Sequence, residues 1–272
     1  MQNRTGWKCL ILPIMACWFV AALMVGGCSG GVSSTITEAG STTVQPLAEK
    51  LAEAFKAENP DVNIVIQGGG SSVGIKSCND STVDIGATSR ELKAGEPNLV
   101  KHLLARDGIA IVTHLSNPIT GLTKEQVRGI FAGNITKWSQ VGGENKDIHV
   151  IAREEGSGTR TAFEQMVMGE GLVRGDAILL PFNGAIRTAA SGDPQATGFL
   201  SFGYLDSSVK TLAIDGVAAT VGNAKNGSYP IVRPLYFLTK TQPTGLVNNF
   251  IDFCLGPEGQ IIVAEEGYIP ST

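Results

Sequence analysis

An α/β fold built on a mostly parallel sheet is what this sequence predicts, and three observations predict it. Apolar extended runs alternate with amphipathic stretches of helical period along the chain. The turns between them are short and rich in Gly, Ser and Thr, as in βαβ units. Residues 108–113, Gly-Ile-Ala-Ile-Val-Thr, form a continuous apolar run, the pattern of a strand covered on both faces. With 272 residues, 43% hydrophobic and 17% charged, the chain can bury a full core as one large domain or two modest ones.

A strand over residues 35–39 leads into Gly40-Ser41-Thr42-Thr43. A helix follows, with Val44, Leu47, Ala48, Leu51 and Phe55 at helical spacing, a Thr42/Gln45 capping box at its start and Pro60 at its end. A strand over 62–67 enters Gly68-Gly69-Gly70-Ser71-Ser72 and a helix from about Ser72. The strand 83–87 runs toward a helix near Thr88, where Thr88 and Glu91 offer a further cap. After 108–113, residues 123–138 read as a helix with a Thr123/Gln126 cap and an interruption at Gly133-Asn134. A strand over 148–152 enters the turn from Arg153 through Glu154-Glu155-Gly156-Ser157-Gly158 to Thr159, with a helix from Thr161. Residues 199–204 and 235–238 read as strands, 215–229 as a loop, and 247–265 as one or two helices around Gly256-Pro257.

The N-terminus reads as a secretory segment. Arg4 and Lys8 precede an uncharged apolar stretch over 9–25. Val25-Gly26-Gly27-Cys28 then resembles the lipobox of lipoprotein signals, which implies cleavage and lipidation at Cys28. An uncleaved anchor is the alternative, because the stretch approaches the roughly 20 residues that span a bilayer. Either way the body is expected outside the cytoplasm; the lipoprotein reading makes it lipid-anchored, with residues 1–28 as signal and 29–33 as a tether. Cys78 and Cys254 remain in the mature domain, either as a disulfide or as buried thiols. No metal-ligand spacing occurs and no cofactor is implied.

The net charge is −4, and the Lys and Arg residues are scattered, which argues against nucleic acid as a partner. The repeated strand-to-helix turn points elsewhere. Helix starts expose unpaired N–H groups and partial positive charge, glycine admits an anion to the backbone, and hydroxyls add donors. Four such starts at roughly +0.5 each would sum to about +2, enough to balance a divalent oxyanion. Arg153 with Ser157, Gly158 and Thr159 is the strongest constellation, since the guanidinium offers a two-donor fork. It is not a P-loop, because no Lys follows at the required place. Gly70-Ser71-Ser72-Val73-Gly74 also satisfies G-x-S-x-G, so a serine hydrolase using Ser72 with His102, His114 or His149 is a competing reading.

From residue 34 to the C-terminus the chain resembles the phosphate-binding proteins of ABC importers, extracytoplasmic solute-binding proteins with two α/β lobes. The resemblance rests on Gly40-Ser41-Thr42-Thr43, Gly70-Ser71-Ser72, Asp84-Ile85-Gly86-Ala87, Arg153 with Gly156-Ser157-Gly158-Thr159, and the stretch 194–204. It implies lobe I from residues 34–112 plus 233–272, lobe II from 113–232, and a two-crossing hinge. It implies that Thr42, Thr43, Ser71 and Ser89 meet inorganic phosphate from one lobe and Arg153, Ser157, Gly158 and Thr159 from the other. Thr42 and Thr43 are expected to donate from hydroxyl and backbone. The implied partners are the permease and ATPase subunits of an importer, with the protein a monomer and not an enzyme. One departure is visible: Ser89 stands where well-known members have an Asp that accepts the proton of hydrogen phosphate. Sulfate or molybdate is therefore an alternative ligand, with Glu155 or Asp84 as candidate acceptors.

Overall fold

The computed structural model describes residues 34–271. The signal, lipidation and tether readings fall on residues outside that range. In chain order the first elements are β1 (Ser34–Gly40), α1 (Gln45–Glu58), β2 (Val62–Gly68), α2 (Ser71–Asn79), β3 (Ile85–Thr88) and β4 (Val100–Thr113). Next come β5 (Gly121–Leu122), α3 (Lys124–Ala132), β6 (His149–Arg153), α4 (Gly158–Phe163), β7 (Ile178–Leu180), α5 (Asn183–Gly192) and β8 (Ala196–Ser201). The chain closes with β9 (Lys210–Ile214), α6 (Val221–Lys225), β10 (Val232–Thr239), α7 (Gly245–Leu255), α8 (Pro257–Glu265) and β11 (Ile269–Pro270).

The main strand order is β2-β1-β3-β10-β4-β8-β6-β7. β1 is parallel to β2 and β3, and β6 is parallel to β7 and β8. Between these two parallel groups, β4 and β10 run antiparallel. The reason is topological: β4 carries the chain from one group toward the other and β10 brings it back. β4 pairs with β10 as far as Gly108, and from Ile109 onward with β8 and β9.

Two main apolar clusters flank this passage. One gathers Ile36, Leu47, Leu51, Phe55, Leu104, Leu235 and Phe250. Helix α1 contributes because its apolar residues recur on one face, and Phe55 meets Phe250 and Phe253 of α7 edge-on at 5.3 and 5.5 Å. The other gathers residues from Ile109 through Ile231 together with Ile269 of β11, and includes Phe131, Phe163 and Phe199, with the last two stacked at 4.1 Å. Ile109 to Val112 belong to this second cluster, so the chain passes between halves at Asp107-Gly108.

Several local expectations are met and others corrected. Thr123 and Gln126 make their reciprocal capping box, and Gly133 ends α3 in the left-handed conformation at φ 84°. The Thr42/Gln45 box does not form: Val44 is the N-cap of α1 and Ser41 Oγ accepts from the Thr43 and Val44 N–H groups. No helix starts near Thr88, because Thr88 is a β3 residue paired with Tyr236 and the chain runs on through turns into β4. Cys78 and Cys254 are buried free thiols in different clusters. Among the described residues no helix is long and apolar enough to cross a membrane.

Candidate functional site

The C-terminal ends of β1, β2, β3 and β6 face one region, where an open α/β sheet ordinarily holds its ligand. Each end delivers residues singled out by the turn pattern. Thr42 and Thr43 follow β1, Ser71 opens α2, Ser89 follows β3, Arg153 ends β6, and Ser157 caps α4 ahead of Gly158 and Thr159.

Contacts across the two halves bring these residues together. Arg153 Nη2 donates to Thr42 Oγ1 at 3.0 Å and to the Pro181 carbonyl at 2.6 Å. The hydroxyls of Thr43 and Thr159 lie 3.0 Å apart. Ser71 Oγ accepts from the Ser89 N–H at 3.0 Å and lies 3.3 Å from Ser89 Oγ. Gly158 fits against them because it lacks a side chain: a Cβ there would stand 2.1 Å from Ser71 Oγ and 2.5 Å from Ser89 Oγ. Ser157 serves locally, its Oγ accepting from the Arg160 N–H at 3.3 Å. The Thr43 N–H points to Ser41 Oγ at 3.2 Å, so the Thr43 hydroxyl, not its backbone, faces the other half.

Arg153 dominates the electrostatics. It is 2% exposed, and its Nε and Nη1 have no hydrogen-bond partner among the described residues. Burial, and then the nearby Arg233 charge, bring its pKa down to about 10. Burial also pushes the Tyr204 phenol, which donates to the Thr42 carbonyl at 2.7 Å, up to about 12.

The structure adds five residues that were not among the expected site residues, although Ser201 and Tyr204 lie in the stretch 194–204. Arg233 donates to Asp107 Oδ2 from Nε and Nη2 at 3.0 and 2.7 Å, and from Nη1 to Ser89 Oγ at 3.2 Å. Asn183 donates to Thr43 Oγ1 at 2.9 Å, Ser201 donates to Asp107 Oδ1 at 2.9 Å, and Tyr204 touches Thr42 as above. A signal was present for the ion pair: Asp107 abuts the apolar run and Arg233 lies in an apolar strand, so two opposite charges occupy core-like surroundings.

Of the candidate acceptors for an anion's proton, Asp84 stands before β3, at the opposite end of that strand from Ser89, where it is exposed and accepts from the Thr37 N–H and hydroxyl at 2.8 and 2.7 Å. Glu155 is exposed, in the turn between Arg153 and Ser157. The buried carboxylate of the region, Asp107, is engaged by Arg233, Ser201 and the Phe202 N–H. No histidine stands at Ser72, whose Oγ accepts from Arg90 at 3.4 Å. His102 pairs with Thr239, His114 with Ser116 and His149 with Asp193, which removes the geometry a serine hydrolase needs.

A family profile described as a PBP superfamily domain matches residues 29–258. The phosphate-binding protein PstS of Bacillus subtilis is 34% identical over 246 residues, covering 88% of this chain and 82% of the relative. That of Pseudomonas aeruginosa PAO1 is 31% identical, covering 89% and 84%. A solved structure from Clostridium perfringens, described as a substrate-binding protein of a phosphate ABC transporter with bound phosphate, aligns with a TM-score of 0.83. It shares 39% identity over 88% of this chain and 100% of that one. A phosphate transport receptor from Vibrio cholerae gives 0.75 at 36% identity, covering 86% and 99%.

Proposed function

This chain belongs to the PBP superfamily, among the phosphate-binding proteins of ABC phosphate transport, and from that premise we propose that it captures inorganic phosphate between two lobes and delivers it to the importer's permease. Lobe I comprises β1 to β3 with β10 and α7 to α8, lobe II the elements from β5 to α6, and β4 and β10 are the crossings. Thr42, Thr43, Ser71 and Ser89 hold the anion from the first lobe, and Arg153, Ser157, Gly158 and Thr159 from the second. The observation that carries this reading is Arg153, a buried guanidinium that reaches the Thr42 hydroxyl of the opposite half while its Nε and Nη1 donors have no partner among the described residues. Only the closed form satisfies donors of both lobes at once, so an oxyanion favours closure. Residues 1–28 form the lipoprotein signal with Cys28 lipidated, residues 29–33 tether the monomer to the membrane, and the domain works outside the cytoplasm. No chemistry on the ligand is involved.

Sulfate, or a related oxyanion such as molybdate, is the second reading. Ser89 carries no charge to repel sulfate, and the buried carboxylate Asp107 is already engaged. Calorimetric titration of residues 29–272 with phosphate, and separately with sulfate, decides between them. Tight one-to-one phosphate binding with sulfate clearly weaker is the expected result. Equal binding of both anions would make the protein a general oxyanion carrier, and no heat from either would refute the reading.

A further inference from the structure

Asp107 and Arg233 lie directly opposite each other on β4 and β10, the strands by which the chain passes between its halves. Both side chains are buried, at 0% and 2% exposure. Together they close a ring of hydrogen bonds through both halves. Arg233 Nη1 holds Ser89 through its carbonyl at 3.1 Å and its hydroxyl at 3.2 Å, while Nη2 reaches Thr43 Oγ1 at 3.4 Å. Asp107 Oδ1 accepts from the Ser201 hydroxyl at 2.9 Å and the Phe202 N–H at 3.1 Å, both in the second half. Asn183 returns the path: its Oδ1 accepts from the Ser201 N–H at 3.3 Å and its Nδ2 donates to Thr43 Oγ1 at 2.9 Å.

We propose that Asp107 and Arg233 are the positioning pair that ties the anion-facing hydroxyls of Thr43 and Ser89 to the passage between the halves, so that grip on the anion depends on this pair. This rests on the phosphate-binding reading above. Arg233 fixes the hydroxyls physically: each accepts a hydrogen bond from it, which leaves the O–H free to turn toward an anion. Asp107 fixes Arg233 by a two-donor fork and neutralises it, so the guanidinium stays in place in a dry environment. Because Asp107's other oxygen holds the Ser201–Phe202 turn, moving one half relative to the other strains the same pair that aims the hydroxyls. A lysine cannot copy this, since it lacks the planar fork that serves Asp107 and Ser89 at once.

The test is phosphate titration of the wild type, Arg233→Lys, Asp107→Asn and the double variant, with thermal midpoints measured in parallel. Each single variant is expected to lose ten- to a hundredfold in affinity while folded, and the double to lose no more than the worse single, because the two act as a unit. A merely structural role would lower the midpoint and leave the affinity of the folded protein within threefold of wild type, which would overturn the proposal, as would fully multiplicative losses. Ser201→Ala keeps the pair and removes one contact to the second half, so it decides the matter if the charge variants do not fold. A three- to tenfold loss supports the proposal, and unchanged affinity overturns it. A wild type that binds no phosphate would instead refute the underlying reading.

Discussion

Replacing Arg153 with Met should weaken anion binding and at the same time stabilise the protein in phosphate-free buffer. The guanidinium is buried beside Arg233 without a carboxylate partner, and its pKa falls from 12.5 to about 10. That difference corresponds to about 3 kcal/mol of unfavourable burial of the charge. Because the folded-state value is lowered for a cation, the cost is in force at every pH below about 10, and is therefore constant across neutral pH. Methionine removes the charge but also the hydrogen bonds to Thr42 and the Pro181 carbonyl, about 1 kcal/mol each, so the net gain is about 1 kcal/mol. For a domain of this size that raises the melting midpoint by about 2–4 °C. Phosphate affinity should fall by about 2–5 kcal/mol, the range for removing one partner of a desolvated charge pair. Calorimetric scans with and without phosphate read both quantities. A variant less stable than wild type without phosphate, or one that phosphate stabilises as strongly as wild type, would refute the reasoning.

Glu38 is buried with both oxygens unpartnered among the described residues, and burial, with Glu49 nearby, pushes it up to about 8. Since the unfolded value is about 4.5, this group costs nothing below that pH, and its cost grows as pH rises to about 8, by up to about 5 kcal/mol. Glu38→Gln should therefore flatten the fall in denaturation midpoint between pH 5 and 8.5, and an unchanged slope would count against the assignment. Gly158→Ala places a methyl against Ser71 and Ser89 and should cost about 1–3 kcal/mol of stability and weaken titrated phosphate affinity, with the far-UV spectrum unchanged. Thr123→Ala removes the capping box of α3 and should cost about 1 kcal/mol of stability while titrated phosphate affinity stays as in wild type.

The features legible in the amino-acid order are those set by neighbours in the chain. The glycine turns at Gly40, Gly70 and Gly156 punctuate strand and helix locally, as does the Thr123/Gln126 cap, because backbone freedom and capping depend on a few adjacent residues. The Thr88/Glu91 pattern has the same local form yet starts no helix. Thr88 is taken by β10, Glu91 by Lys101 and Tyr236 at 2.9 and 2.7 Å, and Arg90 by Glu96, so distant partners outweigh a cap worth about 1 kcal/mol. Apolar patterning marked residues 108–113 as a buried strand but could not give its direction, which follows from the chain leaving one half by β4 and returning by β10.

Neighbouring residues alone mark an α/β chain with repeated donor-rich turns and, through several motifs in order, the residues around Arg153. Long-range packing was needed for Asp107 and Arg233 to meet across β4 and β10, for Asp84 to turn to Thr37 and away from the site, and for Cys78 and Cys254 to remain apart. The physical reason is one of range: turn chemistry and periodicity are written within a few residues, whereas a salt bridge between positions 126 apart exists only once two strands have found their register.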